Sequence, residues 1–323
     1  MKTISFSDWC DFLTNVVEVK NLHFNEDQVI LVCGYEGSGK STFTIASYCE
    51  VMRRRDMTPC KELIFYEWEE YLRTNLAAMI KRLDTLPPGM VQDLLLHYQI
   101  TEKQLQMPPE TYLPERGDIL CYDEAGTQAF NRQAMSGSNI NQAKLLIANR
   151  FLNLVHMWNV PKPGSVDRYI REERCKILVW VDSYYTPDWK QKIRNIYVYG
   201  KESYQRILAS DKWWTLFSNT SRLIKRHRPD FRITLPTNLP DLIPNDINEY
   251  YETKKNVFNI RQVLDMIEDT KDNPEKTRIN HLDRMVQEGE DLKTWMKRTG
   301  CTPSQFNTYG GSKMKLKREK NED

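Results

Sequence analysis

The sequence predicts an α/β fold, with a mainly parallel sheet flanked by helices and a small helical domain after it. Three observations predict it. Residues Gly34, Tyr35, Glu36, Gly37, Ser38, Gly39, Lys40 and Ser41 spell G-x-x-x-x-G-K-S between an apolar run, Val29 to Cys33, and a helix-forming stretch. A second apolar run, Ile119 to Tyr122, ends in the adjacent acids Asp123 and Glu124. Strand-like and helix-like segments alternate around both, as parallel sheets require.

The first motif is a P-loop in the strand-to-helix context it needs. Glycines let backbone N–H groups close around phosphate oxygens, and the following helix adds its positive end. The predicted nucleotide-binding set is Gly34, Gly37, Ser38, Gly39, Lys40, Ser41 and Thr42, with Lys40 reaching the β/γ-phosphates and Ser41 able to ligate Mg²⁺. The second motif is a Walker B pattern. Asp123 would hold Mg²⁺ through a water, and Glu124 stands where a carboxylate can orient or deprotonate the attacking water. An acid directly after the Walker B aspartate separates hydrolytic motors from small-molecule kinases. Together the motifs predict a P-loop nucleotide-hydrolase fold of the additional-strand, catalytic-glutamate type, with ATP and Mg²⁺ as its ligands.

The elements follow in order. Residues 1–24 hold an amphipathic helix, with Trp9, Phe12, Leu13 and Val16 on one face, expected to pack on the ATPase domain at 25–208. The P-loop helix runs to about Arg55. Leu63 to Tyr66 reads as a strand and Tyr71 to Leu83 as a helix; a helical region punctuated by prolines precedes Walker B. Phe130 to Asn139 is a polar stretch leading into a helix from about Gln142 to Leu152. Strand signals recur at Leu154 to Trp158, Lys176 to Val181 and Ile196 to Tyr199, with a return strand near Tyr204 to Leu208 suggesting an antiparallel edge. Residues 209–255 contain Pro229, Pro236, Pro240 and Pro244 and read as an extended linker.

Composition narrows the function classes. The 323 residues suit one large domain and a small appendage, and 46 basic against 44 acidic residues leave a net charge of only +2. No global field demands a polyanionic partner, so any nucleic-acid contact is local. The cluster Arg222, Lys225, Arg226, His227, Arg228 and Arg232 is either such a contact or a solvated loop face. Seven cysteines without a C-x-x-C pair read as reduced core residues of a cytosolic protein. No apolar run approaches the roughly 18 residues of a membrane span.

Helical periodicity returns in residues 256–312: Val257, Ile260, Val263, Leu264 and Ile267, then Ile279 to Val286, then Leu292, Trp295 and Met296. Gly300 ends that third helix and Pro303 opens a fourth, the layout of a helix-turn-helix. Its recognition helix would present Gln305 and Asn307 to bases, while Lys313, Lys315 and Lys317 in the basic tail at 313–323 would neutralise DNA phosphates. A protein-interaction module with a solvated tail fits the same pattern.

GYEGSGKS, ILCYDE, the polar strand end at Asn159, the segment SVDRYIREERCKILVWVD and a terminal strand pair together resemble the FtsK/HerA-type motor ATPases. The likeness spans about residues 25–210 and is nearest to the zonular-occludens-toxin-like and viral genome-packaging branch. It implies an oligomeric ring that couples ATP hydrolysis to DNA movement, encoded by a virus or mobile element. Partners would be further copies of the chain, DNA, and a capsid or other assembly protein. The location would be cytoplasmic, in a host cell if the source is viral, or with the virion. Asn159 matches the family's polar sensor; a capping amide before Pro161 is the other reading. Arg150, Arg168, Arg171 and Arg174 are candidates for an arginine finger acting on a neighbouring subunit, or are surface ion-pair residues. Toxin-like members span a membrane, and the lack of a span here favours packaging over extrusion. A replication initiator or helicase loader, or a slow nucleotide-gated DNA-binding or assembly protein, are the alternatives.

Overall fold

The computed structural model describes residues 1–83, 112–123, 152–185, 192–236 and 238–272. By contacts the chain divides into two compact units, 1–255 and 256–323. The first is an α/β unit built on one mixed, mostly parallel sheet of eight strands among the described residues.

The chain opens with β1 (Lys2–Ser5) and α1 (Phe6–Asn15). A capping box starts α1: Ser5 Oγ accepts from Asp8 N at 3.1 Å, and Asp8 Oδ2 accepts from Ser5 N at 2.8 Å. Then come β2 (Gln28–Gly34), α2 (Lys40–Arg54), β3 (Ile64–Phe65), α3 (Trp68–Leu83), β4 (Ile119–Tyr122), β5 (Val155–Val160), β6 (Cys175–Tyr185) and β7 (Lys192–Gly200). The unit closes with α4 (Lys201–Leu208), α5 (Thr220–Arg226) and β8 (Phe231–Thr234), and α6 (Asn245–Asp272) begins within it.

The strand order is β1-β8-β7-β6-β2-β5-β4-β3. All pairings are parallel except β6 with β7 and β7 with β8. β2 is central and buried along its whole length, which is why its sequence is a continuous apolar run rather than an alternation. β5 lies between β2 and β4.

Helices cover both faces. On one, α1 packs against α2: Trp9 stacks on Phe43 at 5.8 Å and its indole N–H donates to Ser47 Oγ at 3.0 Å. The buried face of α1 is Phe6, Trp9, Cys10 and Leu13, while Phe12, expected on it, is exposed. On the other face, one core cluster joins Trp68 and Tyr71 of α3, Tyr204 and Ile207 of α4, and Leu223 of α5 to Leu31, Tyr122, Trp158 and Leu178 of the sheet.

Two expectations are corrected. Tyr204 to Leu208 is not a return strand but the second half of α4. Tyr204, Ile207 and Leu208 follow helical spacing, and Asp230 takes the helix start, accepting from Gly200 N and Ser203 Oγ at 2.6 Å each. The antiparallel partners of the sheet are instead β6, β7 and β8. Residues 209–255 are not an extended linker, because they hold α5, β8 and two 3₁₀ turns, Trp213–Ser218 and Leu239–Leu242. Pro229, Pro236 and Pro244 stand between these elements and Pro240 sits in the first turn of the second 3₁₀ segment, where its missing N–H costs nothing, while Leu216, Phe217 and Leu223 bury the segment.

Of the described cysteines, Cys10, Cys33, Cys49, Cys121 and Cys175 are buried and unpaired, as expected of core residues. Among the described residues no helix is long and apolar enough to cross a membrane. Glu124, the 130–151 segment with Arg150, and everything from 273 onward, including Gln305, Asn307, Lys313, Lys315 and Lys317, lie outside the described residues.

Candidate active site

Parallel strands converge their C-terminal ends on one edge of the sheet, where loops are free to bind ligands. There β2 ends at Gly34 and the glycine-rich loop turns into α2. A Cβ on Gly34 would lie 2.3 Å from the Val181 carbonyl oxygen, so only glycine lets β2 pass β6 this closely. Gly37 and Gly39 hold φ of 68° and 96°, and Gly39 is the left-handed residue from which α2 starts. Lys40 folds back over the loop, donating to the carbonyls of Gly34 at 2.9 Å and Tyr35 at 3.0 Å. Ser38 is fully buried, and its hydroxyl has no hydrogen-bond partner.

Side chains alternate across a strand, and that alternation builds the second half of the site. Tyr122 and Trp158 point toward α3 and join Tyr71 and Trp68 in an aromatic cluster, Tyr71 lying 5.1 Å from Tyr122 and Tyr122 5.9 Å from Trp158. The next residues, Asp123 and Asn159, face α2. Asn159 Nδ2 donates to Asp123 Oδ1 at 2.9 Å, and its Oδ1 accepts from Thr44 Oγ1 at 2.7 Å. Asn159 is therefore no capping amide: only 2% exposed, it ties the end of β4 to the first turns of α2. Asp123 is 5% exposed and also accepts at Oδ2 from the Tyr251 hydroxyl at 2.9 Å.

Tyr251 of α6 stands between the two motifs. Its hydroxyl bonds Asp123 and reaches Ser41, and its ring lies 5.2 Å from Tyr66. Burial first, then the Asp123 charge, push its phenol pKa up, so it is a neutral donor. The Ser41 hydroxyl and Asp123 carboxylate are the hard oxygen donors that Mg²⁺ takes, and the loop offers the Lys40 cation and the N-terminal end of α2 to phosphate. The donor set thus fits a magnesium–nucleotide complex.

Behind this wall, His156 on β5 accepts or donates at Nδ1 with Tyr71 Oη at 2.5 Å. Full burial lowers its pKa to about 3, and the ring is neutral.

The arginines divide. Arg174 is buried and paired with Asp27 at the opposite edge of the sheet, where β2 and β6 begin. Arg171, 13% exposed, donates to Glu172 and the Val166 carbonyl and lies 4.9 Å over the Trp213 ring. Both are engaged within this chain. Arg168 is 83% exposed and, among the described residues, forms an ion pair with Glu172 at 2.8 Å. In the basic cluster, Arg222, Lys225, Arg226 and Arg228 are exposed, whereas Arg232 donates to Asn195.

Three residues at the site carried no sequence signal: Tyr251, Lys192 and Arg194. Lys192 Nζ donates to the Gly37 carbonyl, and a Cβ on Gly39 would meet Arg194 Nε at 2.7 Å. They come from segments about 130 to 210 residues beyond the motifs, and only the sheet brings them back. No protein-family model matches this chain, and no curated protein matches it.

Proposed function

We propose that this protein is an ATP-hydrolysing DNA translocase of the additional-strand, catalytic-glutamate class, working as a homo-oligomeric ring in viral or mobile-element genome packaging or mobilisation. The observation that carries the hydrolytic part is the Thr44–Asn159–Asp123 bridge beside the loop Gly34 to Ser41. It joins the ends of β4 and β5 to the loop helix in one buried polar wall beside the glycine-rich turn. The strand order supports the class assignment, because β5 separates the loop strand β2 from the acid-bearing strand β4.

In this reading Gly34, Gly37, Ser38, Gly39 and Thr42 shape the phosphate cradle and Lys40 holds the β/γ-phosphates. Ser41 and Asp123 would hold Mg²⁺, which neutralises charge on the transferring phosphoryl group. Asn159, held between Thr44 and Asp123, would serve as the polar sensor by fixing Asp123, and Glu124, next in sequence to Asp123, would be the base that acts on water. The arginine completing a neighbour's site is Arg150 or Arg168, since Arg171 and Arg174 are engaged within their own chain.

DNA movement rests on the likeness to FtsK/HerA motors, on the basic residues of the exposed Arg222 to Arg228 cluster and Lys313, Lys315 and Lys317, and on Gln305 and Asn307 as base-contacting amides. The initiator reading fits less well, because β6, β7 and β8 follow β5 where a helical lid would be expected. Single-turnover and steady-state ATP hydrolysis, with and without DNA, test the proposal. A motor shows multiple turnovers that DNA accelerates; one slow turnover indifferent to DNA would make the protein a switch.

A further inference from the structure

A cleft of about 470 Å³ lies where β7 begins and its paired neighbour β8 ends, on the sheet edge that carries the glycine-rich loop. Its size falls in the range of small-ligand pockets. Among its walls are Lys192, Arg194, Arg232, Thr234, Pro236 and Leu239. The cleft is polarised. Lys192 and Arg194 stand at the end nearest the loop, the first bonded to the Gly37 carbonyl and the second lying over Gly39. Pro236 and Leu239, with Pro240, form an apolar side at the C-terminal end of β8. Among the described residues no carboxylate pairs with Lys192 or Arg194, so both charges are available to an anion on the loop.

We infer that this cleft receives the nucleoside of a nucleoside triphosphate whose phosphates lie on the loop, and that Arg194 holds the phosphate chain at the junction. The inference rests on the reading of that loop as a triphosphate site and gives the ligand a direction along the sheet edge. The polarity of the cleft matches the ligand: cations meet the phosphates, while proline and leucine surfaces meet the flat apolar faces of the base. Without the cleft, a loop and helix N-terminus bind phosphate but do not distinguish ATP from a bare polyphosphate. Thr234, exposed at the strand end, lies where the added bulk of a larger side chain narrows the cleft.

The test compares binding of MgATP and of inorganic tripolyphosphate to the full-length protein by calorimetry. Thr234→Trp should weaken ATP at least tenfold and leave tripolyphosphate within about twofold, because only the nucleoside is displaced. Arg194→Ala should weaken both about tenfold. Lys40→Ala is the separate control for the loop. If Lys40→Ala abolishes ATP binding but Thr234→Trp leaves it unchanged, the nucleoside lies elsewhere and the inference falls while the loop reading stands. If Lys40→Ala has no effect, both fall. Should Thr234→Trp fail to fold, photo-crosslinking of the wild-type protein with 8-azido-ATP decides: attachment within residues 231–242 supports the cleft, and attachment confined to any other segment overturns it.

Discussion

Removing the Asn159 side chain should be the most damaging single polar change in the site. Asn159→Ala deletes a 2.9 Å bond to the Asp123 carboxylate and a 2.7 Å bond from Thr44, leaving both partners buried. A bond to a charged acceptor contributes about 1.5–3 kcal/mol and a neutral one about 0.5–1.5 kcal/mol, so the loss centres near 3 kcal/mol. For a unit of this size that lowers the melting temperature by roughly 6–12 °C. Thr44→Val removes only the neutral bond at nearly constant volume, and should cost about 1 kcal/mol, or roughly 2–4 °C. Differential scanning of both variants and their double mutant gives the comparison. The double mutant should be close to Asn159→Ala alone, because both changes break the same bridge. At temperatures where all variants are folded, kcat for ATP should fall far more in Asn159→Ala than in Thr44→Val, with KM changing little. Equal melting temperatures for the two single variants, or strict additivity, would refute the bridge as the element that fixes Asp123.

Other parts of the structure make separate predictions. Tyr251→Phe frees Asp123 and Ser41 from a bridging hydroxyl, so the Mg²⁺ concentration giving half-maximal ATPase should fall about tenfold, the equivalent of one ~1.5 kcal/mol bond; an unchanged Mg²⁺ titration would contradict a role for Tyr251 at the metal position. His156 has a folded pKa near 3, below its usual value, so its contribution is complete above about pH 6.5 and is lost as the pH falls toward 3. At pH 5 the loss amounts to about 2 kcal/mol, and His156→Gln should show that much less acid sensitivity in urea titrations at pH 7 and pH 5. Deletion from Asn256 onward, at the boundary of the two units, should leave basal ATP hydrolysis intact while weakening DNA binding and flattening its salt dependence. Identical affinity and slope in the truncated protein would assign the second unit to a protein partner.

What the sequence made legible was local. The loop Gly34 to Ser41 and the run ending in Asp123 each carry their chemistry within a few consecutive residues, and their strands appear where the apolar runs put them, with α2 directly after the loop. Asn159 was readable only through the likeness to the motor ATPases, as the polar residue near a strand end; its bonds to Thr44 and Asp123 join segments 36 and 115 residues apart. Pairing between distant segments was not legible. β1 joins β8 across more than 220 residues, and nothing in Lys2 to Ser5 names Phe231 to Thr234 as its partner. α4 was misread because a short apolar run suits strand or helix alike, and the deciding contact, Asp230 at the helix start, lies 30 residues away. Larger separations hid Tyr251, Lys192 and Arg194, which reach the loop and Asp123 only once the sheet has formed.

The most direct test of the central claim is phosphate release from ATP by three proteins under identical conditions: wild type, Lys40→Ala and Glu124→Gln, each with ATP binding measured in parallel. Lys40 contacts phosphates before reaction and Glu124 acts as it proceeds. Steady Mg²⁺-dependent turnover by the wild type, loss of tight ATP binding in Lys40→Ala, and retained binding without turnover in Glu124→Gln are the expected results. Wild-type protein that binds ATP but releases no phosphate, or a Lys40→Ala protein that hydrolyses ATP as fast as the wild type, would contradict that claim.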